Sequence, residues 1–439
     1  MQNGTGSDNT VMGLNAAQIA TGGNYNVAIG WESFGDYSDG GSYNTAVGGG
    51  ALAGPGGATG DGADDNTAVG YFALVANTAA NNTALGYGAA SSGLNSSPTT
   101  PLSGTPITAI GYETLFNNTS GSDNVAVGYD ALYTNSAASN NTAVGDYAQQ
   151  YEYNTGVNGG NNTSLGFQAL QSNSGGNNVA VGAQALIDAT GSNNTAVGYQ
   201  SQQSIDINVE QGSYNTALGS ISQWKMFDGN YNTGAGYFTE ENLEDGNDNA
   251  AYGSYSLQYS NGSFNTAIGD STFKSDYSGT YNTALGFNAD VASDGLTNAT
   301  AIGANATVGE SNAIVLGAIN GQNNATSNTN VGIGTNTPNS SLQISGGTLS
   351  LPITVSATSV NLSSLPNTYT VIITTTGQTV TLPAASSCTG RVYIIVAQIS
   401  SGSVTTSSFL NLTGSSVTSV TFGSSVTIQS DGTNWDQIR

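Results

Sequence analysis

The chain of 439 residues has no histidine, one cysteine (Cys388), and four basic residues against 28 acidic ones. It can therefore form neither an intrachain disulfide nor a Cys/His metal site. The basic residues are Lys225, Lys274, Arg391 and Arg439. A net charge of −24 repels nucleic acid and anionic membranes. We expect no nucleic-acid partner.

The sequence also lacks long apolar runs and catalytic motifs. No stretch of 18 apolar residues occurs, and no charged-then-apolar leader follows Met1, so we expect no membrane insertion and no signal peptide. There is no GxSxG motif and no phosphate-binding loop. Carboxylate pairs remain an alternative, as in glycan-cleaving tailspikes, but stacked coils bring acids together by accident. We expect no enzyme.

The main positive feature is an internal repeat. The stretch Asn193 to Tyr199, Asn-Asn-Thr-Ala-Val-Gly-Tyr, recurs with small variations, and most copies follow each other at 16 or 17 residues, with four longer intervals. A period this short suits a β-solenoid coil of two short strands and two turns. The 18 copies close at Gly13, Gly30, Gly48, Gly70, Gly86, Gly111, Gly128, Gly145, Gly166, Gly182, Gly198, Gly219, Gly236, Gly253, Gly269, Gly286, Gly303 and Gly317.

Within one copy, the strand period of two residues separates two faces. Thr195 and Val197 share one face, while Ala196 and Gly198 share the other. We expect the β-branched face to pack inside the coil and the bare face to admit a neighbouring backbone. Stacking also places Asn194 and its equivalents in a column, which predicts a structural ladder of hydrogen bonds.

The repeat rhythm predicts three regions. Residues 1–319 form a β-solenoid of about 18 coils, and residues 320–347 form a neck. From residue 348 to residue 439 the composition changes to alternating Thr, Ser, Val and Ile with turn signals. Several short strands at this spacing predict a small C-terminal β-sandwich. The fold class is therefore all-β.

The repeats resemble the head repeats of trimeric autotransporter adhesins, as in Asn26 to Gly30 and Asn124 to Gly128, and resemble the Asn-Thr-Ala-Val-Gly-Tyr repeats of phage tail fibres even more. The stretch Val331 to Pro338 and the final Ser430 to Trp435 are similar to segments that follow the repeats in such fibres. The resemblance implies a parallel homotrimer of left-handed β-rolls with an adhesive or receptor-binding use. It covers nearly the whole chain.

Four long intervals are candidate recognition loops, because loops on a rigid scaffold carry binding disproportionately. The third contains Tyr147, Tyr151, Glu152 and Tyr153, whose flat amphipathic rings suit sugar faces. The alternative is that these tyrosines cover the coil interior. The four intervals are Ala51 to Asp65, Tyr87 to Thr108, Asp146 to Asn161 and Tyr199 to Tyr214.

One acidic run is a candidate calcium site, since calcium prefers several hard oxygen ligands from a turn. It consists of Glu240, Glu241, Glu244, Asp245 and Asp248. The run does not match an EF-hand, so a solvated acidic loop is the alternative. No other cofactor is expected.

Three functions follow from these patterns. The leading one is a non-enzymatic, trimeric extracellular fibre or adhesin that attaches a virion or cell to a surface receptor, with a glycan as the expected ligand. The second is a subunit that stacks head to tail into an extracellular filament or meets an anchoring protein at its N-terminus. The third is an ice-binding solenoid that uses its threonines. We expect an extracellular or virion-surface location.

Overall fold

The computed structural model describes most of the chain. The described residues are 6–18, 22–35, 40–54, 64–91, 101–152, 159–173, 175–188, 190–203, 212–225, 228–240, 246–344, 353–356, 358–364, 370–421 and 423–438.

The described residues form 33 strands and two short 3-10 helices, η1 (Leu362–Ser364) and η2 (Ala385–Ser387). The strands up to the last coil are β1 (Thr10–Met12), β2 (Val27–Ile29), β3 (Thr45–Val47), β4 (Thr67–Val69), β5 (Thr83–Leu85), β6 (Ile107–Ile110), β7 (Asn124–Val127), β8 (Thr142–Val144), β9 (Tyr151–Glu152), β10 (Thr163–Leu165), β11 (Ser172–Asn173), β12 (Val179–Val181), β13 (Thr195–Val197), β14 (Thr216–Leu218), β15 (Thr233–Ala235), β16 (Ala250–Tyr252), β17 (Thr266–Ile268), β18 (Thr283–Leu285), β19 (Asp290–Val291), β20 (Thr300–Ile302), β21 (Thr307–Val308) and β22 (Ile314–Leu316). The remaining strands are β23 (Val331–Ile333), β24 (Leu342–Ile344), β25 (Ile353–Ser356), β26 (Val360–Asn361), β27 (Thr370–Ile373), β28 (Thr379–Thr381), β29 (Val392–Ala397), β30 (Ser403–Leu410), β31 (Ser416–Thr421), β32 (Ser425–Ser430) and β33 (Trp435–Gln437).

The repeats form a parallel β-solenoid, as the period predicts. Eighteen of the strands, one before each closing glycine, join in a single parallel sheet. The register aligns equivalent positions of successive coils: Thr195 pairs with Thr216 and Ala196 with Ala217. The fold class and the 18 coils are therefore confirmed.

The predicted assignment of the two strand faces is wrong. Ala196 is fully buried, whereas Val197 is 38% exposed. In most strands of the large sheet the middle residue is buried and the residues on both sides of it are more exposed. The reason is the opposite wall of the coil, where leucines such as Leu170 and Leu186 are fully buried and fill the interior. Only a methyl group fits beside them, so the larger strand residues point outward.

The expected second strand of each coil is absent from most of the described coils. The run after the closing glycine turns instead, because every second residue adopts a left-handed backbone: Gln168 has φ 56° and Leu170 has φ 53°. Alternating signs of φ prevent an extended strand. The exceptions are the short pairs β9 with β11 and β19 with β21.

The asparagine column forms the predicted ladder, but the bonds run from side chain to backbone. The backbone N–H of Asn194 donates to Oδ1 of Asn178 at 2.8 Å. Its own Oδ1 accepts from the backbone N–H of Asn215 at 2.8 Å, and its Nδ2 donates to the carbonyl of Gly212 at 3.0 Å. Each buried asparagine thus links three successive coils.

The chain divides into two compact units, Met1–Thr329 and Asn330–Arg439. Residues 320–329, which the sequence assigns to the neck, group with the solenoid. Asn288 on a late coil donates from Nδ2 to Oδ1 of Asn323 at 2.9 Å. Ala318 forms a bridge with Ala306. The segment after the last coil therefore folds back onto the end of the roll.

The sequence predicts a small C-terminal β-sandwich, and the second unit is all-β with most of its strands in one sheet. Its nine strands from β25 to β33 form one mixed sheet that nearly closes on itself. Inside it, Val371, Ile395 and Ile428 are fully buried. Trp435 joins this core and donates from Nε1 to the carbonyl of Pro383 at 2.9 Å. Ahead of this sheet, β23 pairs with β24 in parallel.

Candidate functional site

An aromatic ladder runs along the outside of the solenoid, built by the residue that follows the closing glycine. Tyr71, Tyr87, Tyr112 and Tyr129 are each 36–44% exposed. Their ring centroids are 5.0–5.6 Å apart and the planes of successive rings differ by at most 16°. The coil repeat imposes this spacing, so the rings cover each other's faces and present their edges and hydroxyls to solvent.

The ladder changes orientation at Tyr147. This ring lies 5.2 Å from Tyr129 with an interplanar angle of 62°. It lies 6.0 Å from Phe167 at 85°. In this coil Asp146 occupies the place after the glycine, which moves the tyrosine one residue on, to a position with φ 59°. Tyr147 therefore interrupts the face-to-face stack.

A second set of aromatic rings precedes the ladder asparagine. Phe264 and Tyr281 stack at 4.8 Å with planes 3° apart, and Tyr214 and Tyr231 stack at 4.9 Å. All four are about half exposed. The two sets thus lie at opposite ends of the strands.

Between these aromatic sets lies the outward side of the large sheet, which we call the strand face. It consists of the two residues that flank the buried interior residue of each strand, in most strands a threonine or valine followed by Val, Leu or Ile. Leu85, Leu165 and Leu285 are 44–49% exposed. Eighteen strands spaced about 4.8 Å apart, each about 10 Å long, give a face of roughly 800 Å². None of these outward positions carries a charged residue, and large exposed apolar patches often mark interaction surfaces.

Acidic groups lie beside the aromatic ladder in the middle of the roll. Asp130 accepts a hydrogen bond from Nε2 of Gln150 at 3.1 Å. Partial burial, and then the neighbouring Glu113, raise the pKa of Asp130. Asp130 in turn raises the pKa of Tyr129. These acids place negative charge beside the rings.

Of the four predicted receptor residues, Tyr147 and Tyr151 are described with their side chains. Tyr147 lies in the aromatic ladder, and Tyr151 begins β9 and is 41% exposed. The backbone of Glu152 pairs with Asn173. Tyr153 lies outside the described residues, as does much of each long interval. The receptor assignment therefore remains a prediction.

The predicted calcium residues do not come together where the structure describes them. Glu240 is fully buried inside the coil, whereas Asp248 is exposed, with φ 56° at a turn. Glu241, Glu244 and Asp245 lie outside the described residues. Among the described cysteine and acidic side chains, no group of three could hold a metal ion.

Glu240 belongs to a polar interior that the sequence pattern had not suggested. In most described coils the wall opposite the large sheet contributes a buried small residue followed by a buried apolar one, such as Ala169-Leu170, but in three successive coils the second residue is polar. Their six side chains are at most 1% exposed. The pairs are Ser201-Gln202, Ser222-Gln223 and Thr239-Glu240. We call these residues the interior polar cluster; aligning the repeats with one another reveals their signal.

The C-terminal unit contains a separate small cavity of about 200 Å³. Its wall combines the aromatic Phe409 and Trp435 with the polar Thr433 and Asn434. The turn that carries these polar residues is fixed, because Oδ1 of Asp431 accepts from the backbone N–H groups of both at 2.6 Å.

No protein-family model and no curated protein matches the sequence. In the described part of the chain, no helix has the length and apolar character needed to cross a bilayer. The function therefore has to be argued from the site geometry.

Proposed function

We propose that this chain is a non-enzymatic fibre protein that assembles with further copies of itself through the strand face and attaches to a surface receptor. The observation that carries this proposal is the strand face itself. Its roughly 800 Å² matches what each partner buries in a standard protein interface. A second copy of the chain supplies the same aliphatic and threonine rows. A closed trimer on the outside of a cell or virion is the form that the resemblance implies.

The receptor part of the proposal places ligand binding near Tyr147 and Tyr151. Stacked rings cover each other, but Tyr147 is turned by 62° from Tyr129. A ring that leaves the stack can offer its surface to the apolar face of a sugar. The phenol hydroxyl groups of Tyr147 and Tyr151 add hydrogen-bonding groups to these rings. A glycan is therefore the ligand class that the site supports best.

Retention of the full-length protein on an array of immobilised glycans tests the receptor site. We expect Tyr147→Ser and Tyr151→Ser to lose most of the binding. Tyr25→Ser is the matched control, because Tyr25 is 54% exposed and stacks with Tyr43 far away along the roll. Equal losses in all three variants, or no retained glycan, would argue against this site.

Head-to-tail stacking is a second candidate, favoured by the first coil. Among the described strands, β1 is hydrogen-bonded to β2 alone, and Met12 and Leu14 are 63% and 71% exposed. A parallel strand that pairs on one side only among the described strands can pair with another chain on its other side. A particle mass that keeps rising with concentration would identify such a filament.

The outward direction of the strand threonines favours ice binding as a third candidate. Thr67, Thr83 and Thr163 are exposed, and their equivalents stack in register. The row is interrupted by Val27, Val125 and other replacements. Thermal hysteresis of a protein solution measures this activity directly.

A further inference from the structure

The interior polar cluster contains buried atoms without partners. Four of them belong to three side chains on successive coils: Oε1 and Nε2 of Gln202, Oε1 of Gln223 and Oε1 of Glu240. Buried polar atoms in proteins nearly always have a partner, and each exception requires an explanation. Three of the four are oxygens, so the cluster has more acceptors than donors. A positively charged or donating ligand would satisfy it.

The strand opposite the cluster is adapted to it. Gly234 replaces the interior alanine of the other coils. A Cβ atom there would lie 2.8 Å from Oγ1 of Thr239 and 2.9 Å from Oγ of Ser222. These two hydroxyls hydrogen-bond to each other at 2.6 Å. The missing methyl group of Gly234 thus makes room for the polar side chains. The sequence departs from the repeat both in the large sheet, at Gly234, and on the opposite wall, at the interior polar cluster.

The cluster contains one ionisable group, the carboxyl of Glu240, and no described cation contacts it. The basic residue closest to Glu240 in the sequence is Lys225. Its Nζ lies over the ring of Trp224, 4.1 Å from the centroid. Leu186 on the coil before the cluster and Leu257 on the coil after it are fully buried. An ionised carboxylate between these apolar layers needs a partner inside the roll.

We propose that the roll holds one dehydrated monovalent cation, sodium or potassium, between Glu240 and Gln223 on neighbouring coils. Carboxylate and amide oxygens are the ligands that hard cations prefer. One carboxylate balances one positive charge, whereas a divalent ion would leave a net charge in an apolar interior. The site is independent of the receptor and assembly proposals.

The coil spacing suits such an ion. Successive coils lie about 4.8 Å apart, close to twice the distance of about 2.4 Å between a hard cation and an oxygen ligand. An ion between two coils can therefore contact an oxygen from each. Gln223 is already fixed beside the carboxylate, because its Nε2 donates to Oε2 of Glu240 at 2.7 Å. Its Oε1 is buried and has no hydrogen-bond partner.

Thermal unfolding at pH 9 tests the proposal, with the full chain in sodium, potassium or tetramethylammonium chloride at equal ionic strength. We expect the midpoint to be a few degrees higher with sodium or potassium, because a ligand that binds only the folded state stabilises it. Glu240→Gln should abolish the difference. Glu113→Gln, which removes an acid on the outside of the roll, should retain it.

Equal midpoints in the three salts would overturn the proposal and leave water or a proton as the occupant. A Glu240→Gln variant that keeps the full difference between the salts would overturn it as well. Should that variant fail to fold, crystals of the unaltered protein soaked in thallium(I) provide the second test. An anomalous peak next to Oε1 of Glu240 supports the site, and a flat map there excludes it.

Discussion

Inside the roll, Gln223 donates a hydrogen bond of 2.7 Å from Nε2 to Oε2 of Glu240, a fully buried carboxyl group. Burial raises the pKa of Glu240 to about 8, although the bond from Gln223 acts in the opposite direction. The group is therefore protonated at neutral pH unless a cation takes the place of the proton. This one residue couples the stability of the roll to solution conditions.

In tetramethylammonium buffer, stability should fall as pH rises from about 4.5 to about 8. In this window the folded chain keeps the Glu240 proton while the unfolded chain loses it, so folding takes up a proton. Below 4.5 both states are protonated and above 8 both are ionised, so the contribution is constant at each end. Thermal midpoints across pH 4–9 measure the effect.

Glu240→Gln is the matched control for this pH dependence, because it keeps the size and one hydrogen-bond acceptor of the side chain. Its midpoint should vary less over the same window. A wild-type chain with the same pH profile as this variant would show that the buried carboxyl does not control the dependence.

The asparagine ladder should carry a large share of local stability. Asn194→Ala removes the two hydrogen bonds of the side chain and leaves the carbonyl of Gly212 and the backbone N–H of Asn215 without these partners. We expect a loss of about 2–4 kcal/mol. Hydrogen exchange should accelerate in the coils on both sides.

Thr163→Ala serves as the comparison for the ladder, because this threonine lies on the exposed side of its strand. It should change stability by less than about 0.5 kcal/mol. Similar losses in the two variants would contradict the structural role of the ladder.

The closing glycines should tolerate no side chain. Gly198 has φ 138°, and a Cβ atom there would lie 2.4 Å from the carbonyl oxygen of Gly219. Gly198→Ala therefore combines backbone strain with a clash against backbone, and we expect a loss of more than about 3 kcal/mol or failure to fold. Urea unfolding monitored by circular dichroism quantifies it.

Gly309→Ala is the matching test at an unconstrained glycine, since a Cβ atom there meets nothing within 4 Å. Its unfolding midpoint should stay close to that of the wild type. An unfolding midpoint of Gly198→Ala equally close to that of the wild type would contradict the close stacking of the coils at this glycine.

The sequence predicts the coils well because their determinants are local and repeated. A glycine equivalent to Gly198 closes every coil, and most coils have an asparagine equivalent to Asn194. Few other residue types can fill either role. The direction of the faces was not predictable from the strand alone. Alternation separates Ala196 from Val197, but the space left by Leu170 and Leu186 on the other wall decides which one is buried.

The candidate sites were harder to predict for a related reason. Tyr129 belongs to the repeated motif, yet its stacking on Tyr112 depends on the spacing between coils. Glu240 looked like part of an acidic surface run because the residues after it are acidic too. Its position in the coil, equivalent to a buried leucine, turns it inward, and only alignment of the repeats shows this.

The central claim is that the strand face joins copies of this chain, and the particle mass tests it most directly. Light scattering over a concentration series should give a constant mass of about 132 kDa, three chains of 44.0 kDa each. The double variant Leu165→Lys and Leu285→Lys places two charges on the face and should reduce the mass towards one chain. Leu412→Lys, at a leucine that is 69% exposed in the C-terminal unit, should leave it unchanged. A wild-type monomer, or a double variant of unaltered mass, would contradict the account.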